Sequence, residues 1–189
     1  MNLRPTSTAF SLVETLIVSA LFAALSVVFA QFFTHVHGGF FYARAAADVQ
    51  QGASAVIRNV EQFTLPALRV REEATIEGVD YTSGEDTLIL EVPAIDASGA
   101  VIAGTVDTVV LYREGNTFMR RILAGSGSAR ESGVHQVADA VTQLTFSYAT
   151  ENPADASWVQ VSVTTHADVK GRTVEGVRTA HFWLRNFSL

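Results

Sequence analysis

Residues 10–18, FSLVETLIV, begin the segment on which the fold of this chain depends. A single carboxylate, Glu14, lies near the start of an apolar run, and no Asp, Glu, Lys or Arg follows it before Arg44. A helix of about 18 residues, the length of the most apolar part (residues 16–33), rises about 27 Å, which is close to the hydrocarbon thickness of a bilayer. The sequence therefore predicts a membrane-spanning helix. Because an isolated charge in such a segment costs a few kcal/mol, Glu14 calls for a partner.

The composition excludes several classes of function. The chain has 189 residues and a formal net charge of −6, with no basic run, so nucleic acid is not expected as its main partner. It has no cysteine, which excludes disulfides and thiolate metal sites. About 120 residues follow the first helix, enough for one compact core.

The residues before the apolar run indicate its orientation and processing. Residues 1–9, MNLRPTSTA, are short and polar, and we interpret them as a leader peptide or cytoplasmic stub. Arg4 precedes the apolar run and no basic excess follows it, which favours a cytoplasmic N-terminus and an external C-terminal head. Three interpretations compete: a secretory signal peptide cut after Ala30, a plain signal anchor, and a prepilin whose mature chain starts with Phe10.

The third interpretation has a specific counterpart among known families. Residues 9–18, AFSLVETLIV, resemble the cleavage and methylation motif of type IV pilins and type II secretion pseudopilins. The resemblance implies that a prepilin peptidase cuts between Ala9 and Phe10 and methylates the new amino group of Phe10. The family usually has Gly before the cut, where this chain has Ala9. The partners that it implies are other pilins or pseudopilins, the prepilin peptidase and an inner-membrane assembly platform.

Cleavage at this point would create a positive charge that could pair with the carboxylate of Glu14. The new ammonium at Phe10 would lie four residues before Glu14, or would be supplied by a neighbouring subunit. Opposite charges about 4 Å apart attract by about 4 kcal/mol at an intermediate effective dielectric, which is comparable to the cost of burying the acid. We interpret Glu14 as a register device for assembly. The alternative is a carboxylate that reaches the lipid headgroups.

The helix is expected to continue beyond the membrane to about residue 63, a length of about 80 Å. Gly38 and Gly39 interrupt it, and they are a candidate hinge or, alternatively, points of close packing or simple tolerance. Pro66 marks the end. Apolar residues at spacings of three and four predict one stripe that packs against a sheet, formed by Val49, Ala53, Val56, Ile57, Val60 and Phe63.

After residue 68 the apolar period changes from 3.6 to 2, which predicts strands. They cover residues 87–92, 106–113, 117–123, 141–149, 158–164 and 173–185, with turns at 114–116 and 170–172 and loops at 94–104 and 125–133. Short turns between successive strands predict an antiparallel sheet that leaves one face for the helix. The predicted fold class is α+β and type IV pilin-like, with segments 1–9, 10–37, 38–65 and 66–189 as leader, filament-core half-helix, amphipathic half-helix and head.

The strand set and the length also resemble, less specifically, a J-type minor pseudopilin or its minor-pilin counterpart. This second resemblance rests on residues 86–88, 111–112, 141–148 and 182–186. It implies a structural subunit that helps to initiate or assemble a filament. The competing hypothesis is a membrane-anchored extracellular binding module that recognises a surface, DNA or an exported substrate.

No enzymatic or metal chemistry is expected. Of the five histidines, His35 and His37 are two apart on a helix and face different directions. Loop acids without a calcium-loop spacing are expected to be solvated, namely Asp80, Glu85, Asp86, Asp96 and Asp107. Residues 125–128, GSGS, are expected to form a flexible linker. Trp158, Trp183 and Phe146 are expected in the core or at a subunit interface, and no cofactor is expected.

Overall fold

A computed structural model describes residues 11–184 of the chain. These residues divide into two compact units, residues 11–43 and residues 44–184. One helix, α1 (Leu12–Thr64), forms the described part of the first unit and provides the first element of the second. The fold class is α+β, as the sequence predicts.

In the second unit, residues 44–64 of α1 are amphipathic. The stripe predicted from the sequence is buried, with Ala53, Val56 and Val60 inaccessible to solvent and Ile57 half-buried. The helix ends at Thr64, two residues before Pro66, because a proline ring leaves no room for another helical turn before it.

Ten strands follow within the described residues, and all their pairs are antiparallel. They are β1 (Arg69–Val70), β2 (Glu73–Ile76), β3 (Val79–Thr82), β4 (Thr87–Ile95), β5 (Val101–Glu114), β6 (Thr117–Leu123), β7 (Gly133–Ala138), β8 (Val141–Tyr148), β9 (Trp158–Val169) and β10 (Arg172–Trp183). A five-stranded sheet has the order β1-β4-β5-β6-β7, a three-stranded sheet has the order β10-β9-β8, and β2-β3 is a separate ribbon. A short 3-10 helix, Pro153–Asp155, lies between β8 and β9 and is capped by the Asn152 side chain.

The two larger sheets and the helix enclose one core. The side chains of strand β9 point alternately into this core and away from it. Val159, Val161 and Val163 are fully buried, while the residues between them are partly exposed. A second, smaller cluster lies on the other face of the five-stranded sheet, where Ile76 of the β2-β3 ribbon packs with Ile89 of β4 and Val110 of β5. Residues 88–92 of β4 are consequently buried on both faces.

The structure corrects several details of the predicted head. The strands form two sheets and a ribbon, and β1, β2, β3 and β7 were not predicted because they are short and carry polar or charged residues. The loop predicted at 94–104 is confined to residues 96–100, because β4 and β5 extend into it. The turn predicted at 170–172 is a two-residue connection in which Lys170 and Gly171 have φ of 50° and 76°, as a type I′ hairpin requires. Residue 185 lies outside the described residues.

Candidate functional site

The first turn of α1 is closed by a reciprocal pair of hydrogen bonds between Ser11 and Glu14. The backbone N–H of Glu14 donates to Ser11 Oγ at 3.2 Å, and the backbone N–H of Ser11 donates to Glu14 Oε2 at 3.4 Å. This is a capping box, in which a serine at the N-cap and a glutamate three residues later satisfy two otherwise unpaired N–H groups. The helix therefore begins at Leu12, with its only early carboxylate fixed beside its N-terminus.

The surface of the first unit is apolar around its whole circumference. Its large apolar side chains from Leu12 to Val36 are all more than half exposed, and the most apolar window of the helix has a mean hydropathy of 2.3 with none of it buried. By length and composition this helix can cross a membrane, and its position near the N-terminus is compatible with a single-pass anchor. Apolar side chains exposed in this number require a cover of lipid or protein.

The hydroxyl groups in this apolar surface are satisfied inside the helix. Ser19 Oγ donates to the Thr15 carbonyl and Ser26 Oγ donates to the Phe22 carbonyl, both at 2.8 Å. Thr15 Oγ1 donates to the Ser11 carbonyl at 3.1 Å. These hydroxyls consequently need no water, which suits a helix surrounded by hydrocarbon. Glu14 differs from them because no residue from 11 to 184 forms an ion pair with it at 4.0 Å or less.

Two other predicted sites have different outcomes. Gly38 and Gly39 are both helical, and a Cβ added at Gly39 would meet no atom within 4 Å, so no close contact within the chain explains that glycine. A hinge at these residues stays a prediction. The predicted cleavage and methylation residues, Ala9 and Phe10, lie outside the described residues.

Two of the loop acids that were expected to be solvated form hydrogen bonds within the head, and the expectation is wrong for Asp107, which is buried on β5. Asp96 Oδ1 accepts hydrogen bonds from the Ser98 side chain and from the backbone N–H groups of Ala100 and Ser98, which lower its pKa below the usual range. Asp107 is fully buried and accepts from Gly125 N at 2.7 Å and Ser128 Oγ at 2.9 Å. The prediction that residues 125–128 form a flexible linker is therefore wrong, because a buried carboxylate holds both ends of this segment.

The histidines are dispersed. His37 packs edge-on against Phe41 with ring centroids 5.0 Å apart, whereas His181 lies between Trp158 and Trp183 on the three-stranded sheet. Among residues 11–184, no group of three or more His, Asp or Glu side chains is arranged to hold a metal ion.

The three aromatic residues expected in the core or at an interface separate into two groups. Phe146 is buried in the core, as expected. Trp183 is 60% exposed and pairs across the strands with Trp158, so the core does not explain it.

Two features, the capping box of Ser11 and Glu14 and the position of Arg120, were missed from the sequence. The pattern Ser11-x-x-Glu14 before an apolar run is itself the capping-box signal, and it was available in the sequence. The other is Arg120, which faces the core between Phe118 and Ile122 on β6, with its guanidinium 5.2 Å from the ring centroid of Phe63. The alternation of apolar residues around Arg120 was its signal.

A scan against models of known protein families matches none of them, and a search of curated proteins finds no match.

Proposed function

We propose that this chain is a minor pilin or pseudopilin, a structural subunit that takes part in initiating or assembling a type IV pilus or a type II secretion pseudopilus. A prepilin peptidase would cut it between Ala9 and Phe10 and methylate Phe10. The observation that carries the proposal is the position of Glu14, the only carboxylate on the exposed apolar helix of residues 12–43. No enzymatic activity is part of the proposal.

The capping box alone does not account for a charge at Glu14. Glutamine fills the same capping position as glutamate, because either side chain offers an oxygen to the N-cap N–H. A neutral residue would therefore cap α1 without the cost of placing a charge in an apolar segment. A cationic partner removes that cost, and the amine created at Phe10 by cleavage is the nearest source of one.

The apolar surface of residues 12–43 supports two successive environments. Before assembly the segment would span the cytoplasmic membrane, with the N-terminus inside and the head outside. After assembly the same side chains would pack against the helices of other pilins or pseudopilins in the filament. In both environments the hydroxyls of the segment are already satisfied within the helix.

Three substitutions separate the charge of Glu14 from its capping role. Glu14→Ala removes both, Glu14→Gln removes only the charge, and Ser11→Ala removes the hydroxyl cap while leaving the charge. We expect both Glu14 variants to lose assembly and Ser11→Ala to retain it. Assembly is measured in the natural host membranes with a photo-crosslinking amino acid at position 22, whose side chain is exposed on the helix. The readout is the fraction of the chain crosslinked to other subunits.

The level of membrane-inserted chain in each variant is the control for expression and insertion. Wild-type crosslinking by Glu14→Gln would refute the role of the charge. Adducts to lipid alone, in the unmodified chain and in Glu14→Ala alike, would favour the competing function, a membrane-anchored extracellular binding module.

A further inference from the structure

Arg120 occupies a position in the head that is normally apolar. On β6 it alternates with Phe118 and Ile122, which are buried in the core, and across β5 it stands opposite Leu111, which is fully buried. On its other side it pairs with His135 of β7. Opposite residues of neighbouring strands share a face, so Arg120 and His135 project from the core side of the sheet.

The guanidinium of Arg120 has no acceptor among residues 11–184. Its Nε is buried without a hydrogen-bond partner, and no carboxylate lies within ion-pair distance. Its contact with the Phe63 ring is the one favourable interaction of the charge in the described part of the chain. Burial lowers the pKa of Arg120 below its usual value, which is the direction expected for a cation that loses water without gaining an anion.

The surroundings of Arg120 form an open cleft of about 340 Å³. This volume lies within the usual range of small-ligand sites. Phe63 of α1 and Ile122 provide apolar walls, while Arg120 and His135 provide hydrogen-bonding groups. Arg130 also lines the cleft, but its charge is matched by Asp107, so Arg120 is the cation left for a ligand.

We propose that this cleft binds a carboxylate joined to an apolar group. The planar guanidinium has five N–H donors in a fork that matches a carboxylate, and the apolar walls match the rest of such a ligand. Glu131 also lines the cleft and repels any anion, but it repels a doubly charged phosphate about twice as strongly as a singly charged carboxylate, so the carboxylate fits better. This site is independent of Glu14 and would serve a filament subunit or an anchored module equally.

The test uses the full chain in detergent micelles, with the Nε–H signals of its arginines followed by NMR together with the backbone N–H signal of His135, which lines the cleft and remains in the Arg120 variants. The probes are 3-phenylpropionate, its neutral analogue 3-phenylpropanamide, and N-acetylphenylalanine, which represents the carboxyl end of a polypeptide. We expect saturable shifts at Arg120 with 3-phenylpropionate and about tenfold weaker binding of the amide, because hydrogen bonds to a charged group contribute this much. Tighter binding of N-acetylphenylalanine would identify a polypeptide as the source of the carboxylate, and equal or weaker binding would identify a free acid.

Arg120→Gln should weaken binding of 3-phenylpropionate about tenfold or more, whereas Arg178→Gln, an exposed arginine on the three-stranded sheet, should leave it unchanged. Arg120→Lys, which keeps the charge without the fork, should give an intermediate affinity. The signal dispersion of each variant reports whether the head is folded. Equal binding of acid and amide, wild-type affinity in folded Arg120→Gln, or no saturable shift with either acid would overturn the proposal.

Discussion

The buried carboxylate of Asp107 provides the sharpest test of how the head is held together. Asp107 is fully buried on β5 and accepts hydrogen bonds from Gly125 N, Ser128 Oγ and Arg130 Nη1, and Arg130 also donates to the Pro93 carbonyl at 2.7 Å. Asp107 therefore joins three residues of the loop between β6 and β7 to the sheet, and the contacts of Arg130 with the Pro93 carbonyl and of Ala129 N with the Ile95 carbonyl add to this attachment. Asp107→Ala removes all three acceptor contacts at once.

The expected loss in the free energy of unfolding follows from the groups that lose their acceptor in Asp107→Ala. Breaking a buried ion pair by removing one partner costs about 3–5 kcal/mol, because the remaining charge is buried without compensation. The Arg130 side chain retains 18% exposure and can regain some water, which places the loss near the lower end of this range. The N–H of Gly125 also loses its acceptor, at a cost of about 1 kcal/mol. We therefore expect Asp107→Ala to lower the free energy of unfolding by about 3–4 kcal/mol.

The assay is denaturant unfolding of the full chain in micelles, followed by the fluorescence of Trp158 and Trp183, both of which lie in the head. Asp96→Ala is the matched control, since Asp96 also accepts three hydrogen bonds within a loop but keeps part of its surface in water. Its effect should be much smaller, because water replaces the lost contacts. Equal losses in the two variants would refute the claim that burial makes the Asp107 contacts important.

Two further predictions concern close packing and pH. A Cβ at Gly176 would lie 2.7 Å from Val49 Cγ1, so Gly176→Ala should destabilise the head by about 1–3 kcal/mol in the same assay, whereas Gly39→Ala, in open space on the helix, should not. Burial, with Tyr81 nearby, raises the pKa of Tyr112 from 10.0 to about 12, so the folded state keeps the proton longer than the unfolded state. Its contribution to stability is full below pH 10 and is lost as the pH rises from 10 to about 12, and Tyr112→Phe should make the measured decline shallower. A decline in Tyr112→Phe as steep as that of the natural chain would contradict this assignment.

Much of the fold could be predicted because two periodicities are unusually clear in the sequence. The helical stripe from Val49 to Phe63 is buried as its spacing predicted, and the alternation around Val161 identified β9. Local patterns of this kind specify which face of an element is buried, since burial of apolar side chains is the dominant favourable term in folding.

The division of the head into two sheets and a ribbon could not be predicted in the same way. Strand pairing is non-local, and short strands such as β1 and β2 are held by their partners rather than by their own residues. The role of residues 125–128 depends on Asp107, which lies 18 residues earlier than Gly125 in the chain. Such contacts leave no periodic trace in the sequence.

The candidate site near Glu14 could be predicted from the sequence for a different reason than the fold. A lone acid at the start of an apolar run is unusual for such a segment, and it can be recognised from the local sequence without knowledge of any tertiary contact. The Arg120 cleft could not be predicted, although the alternation of Phe118 and Ile122 around Arg120 indicates its face, because the lack of an acceptor near its guanidinium is a tertiary property.

The most direct test of the central claim is the mass of the N-terminal peptide of the chain purified from its natural host membranes. The proposal predicts that the mature chain begins with N-methylated Phe10, so that its amine is available to Glu14. A chain that begins at Gln31, as after cleavage of a secretory signal peptide, or one that retains Met1 and residues 2–9, would contradict it.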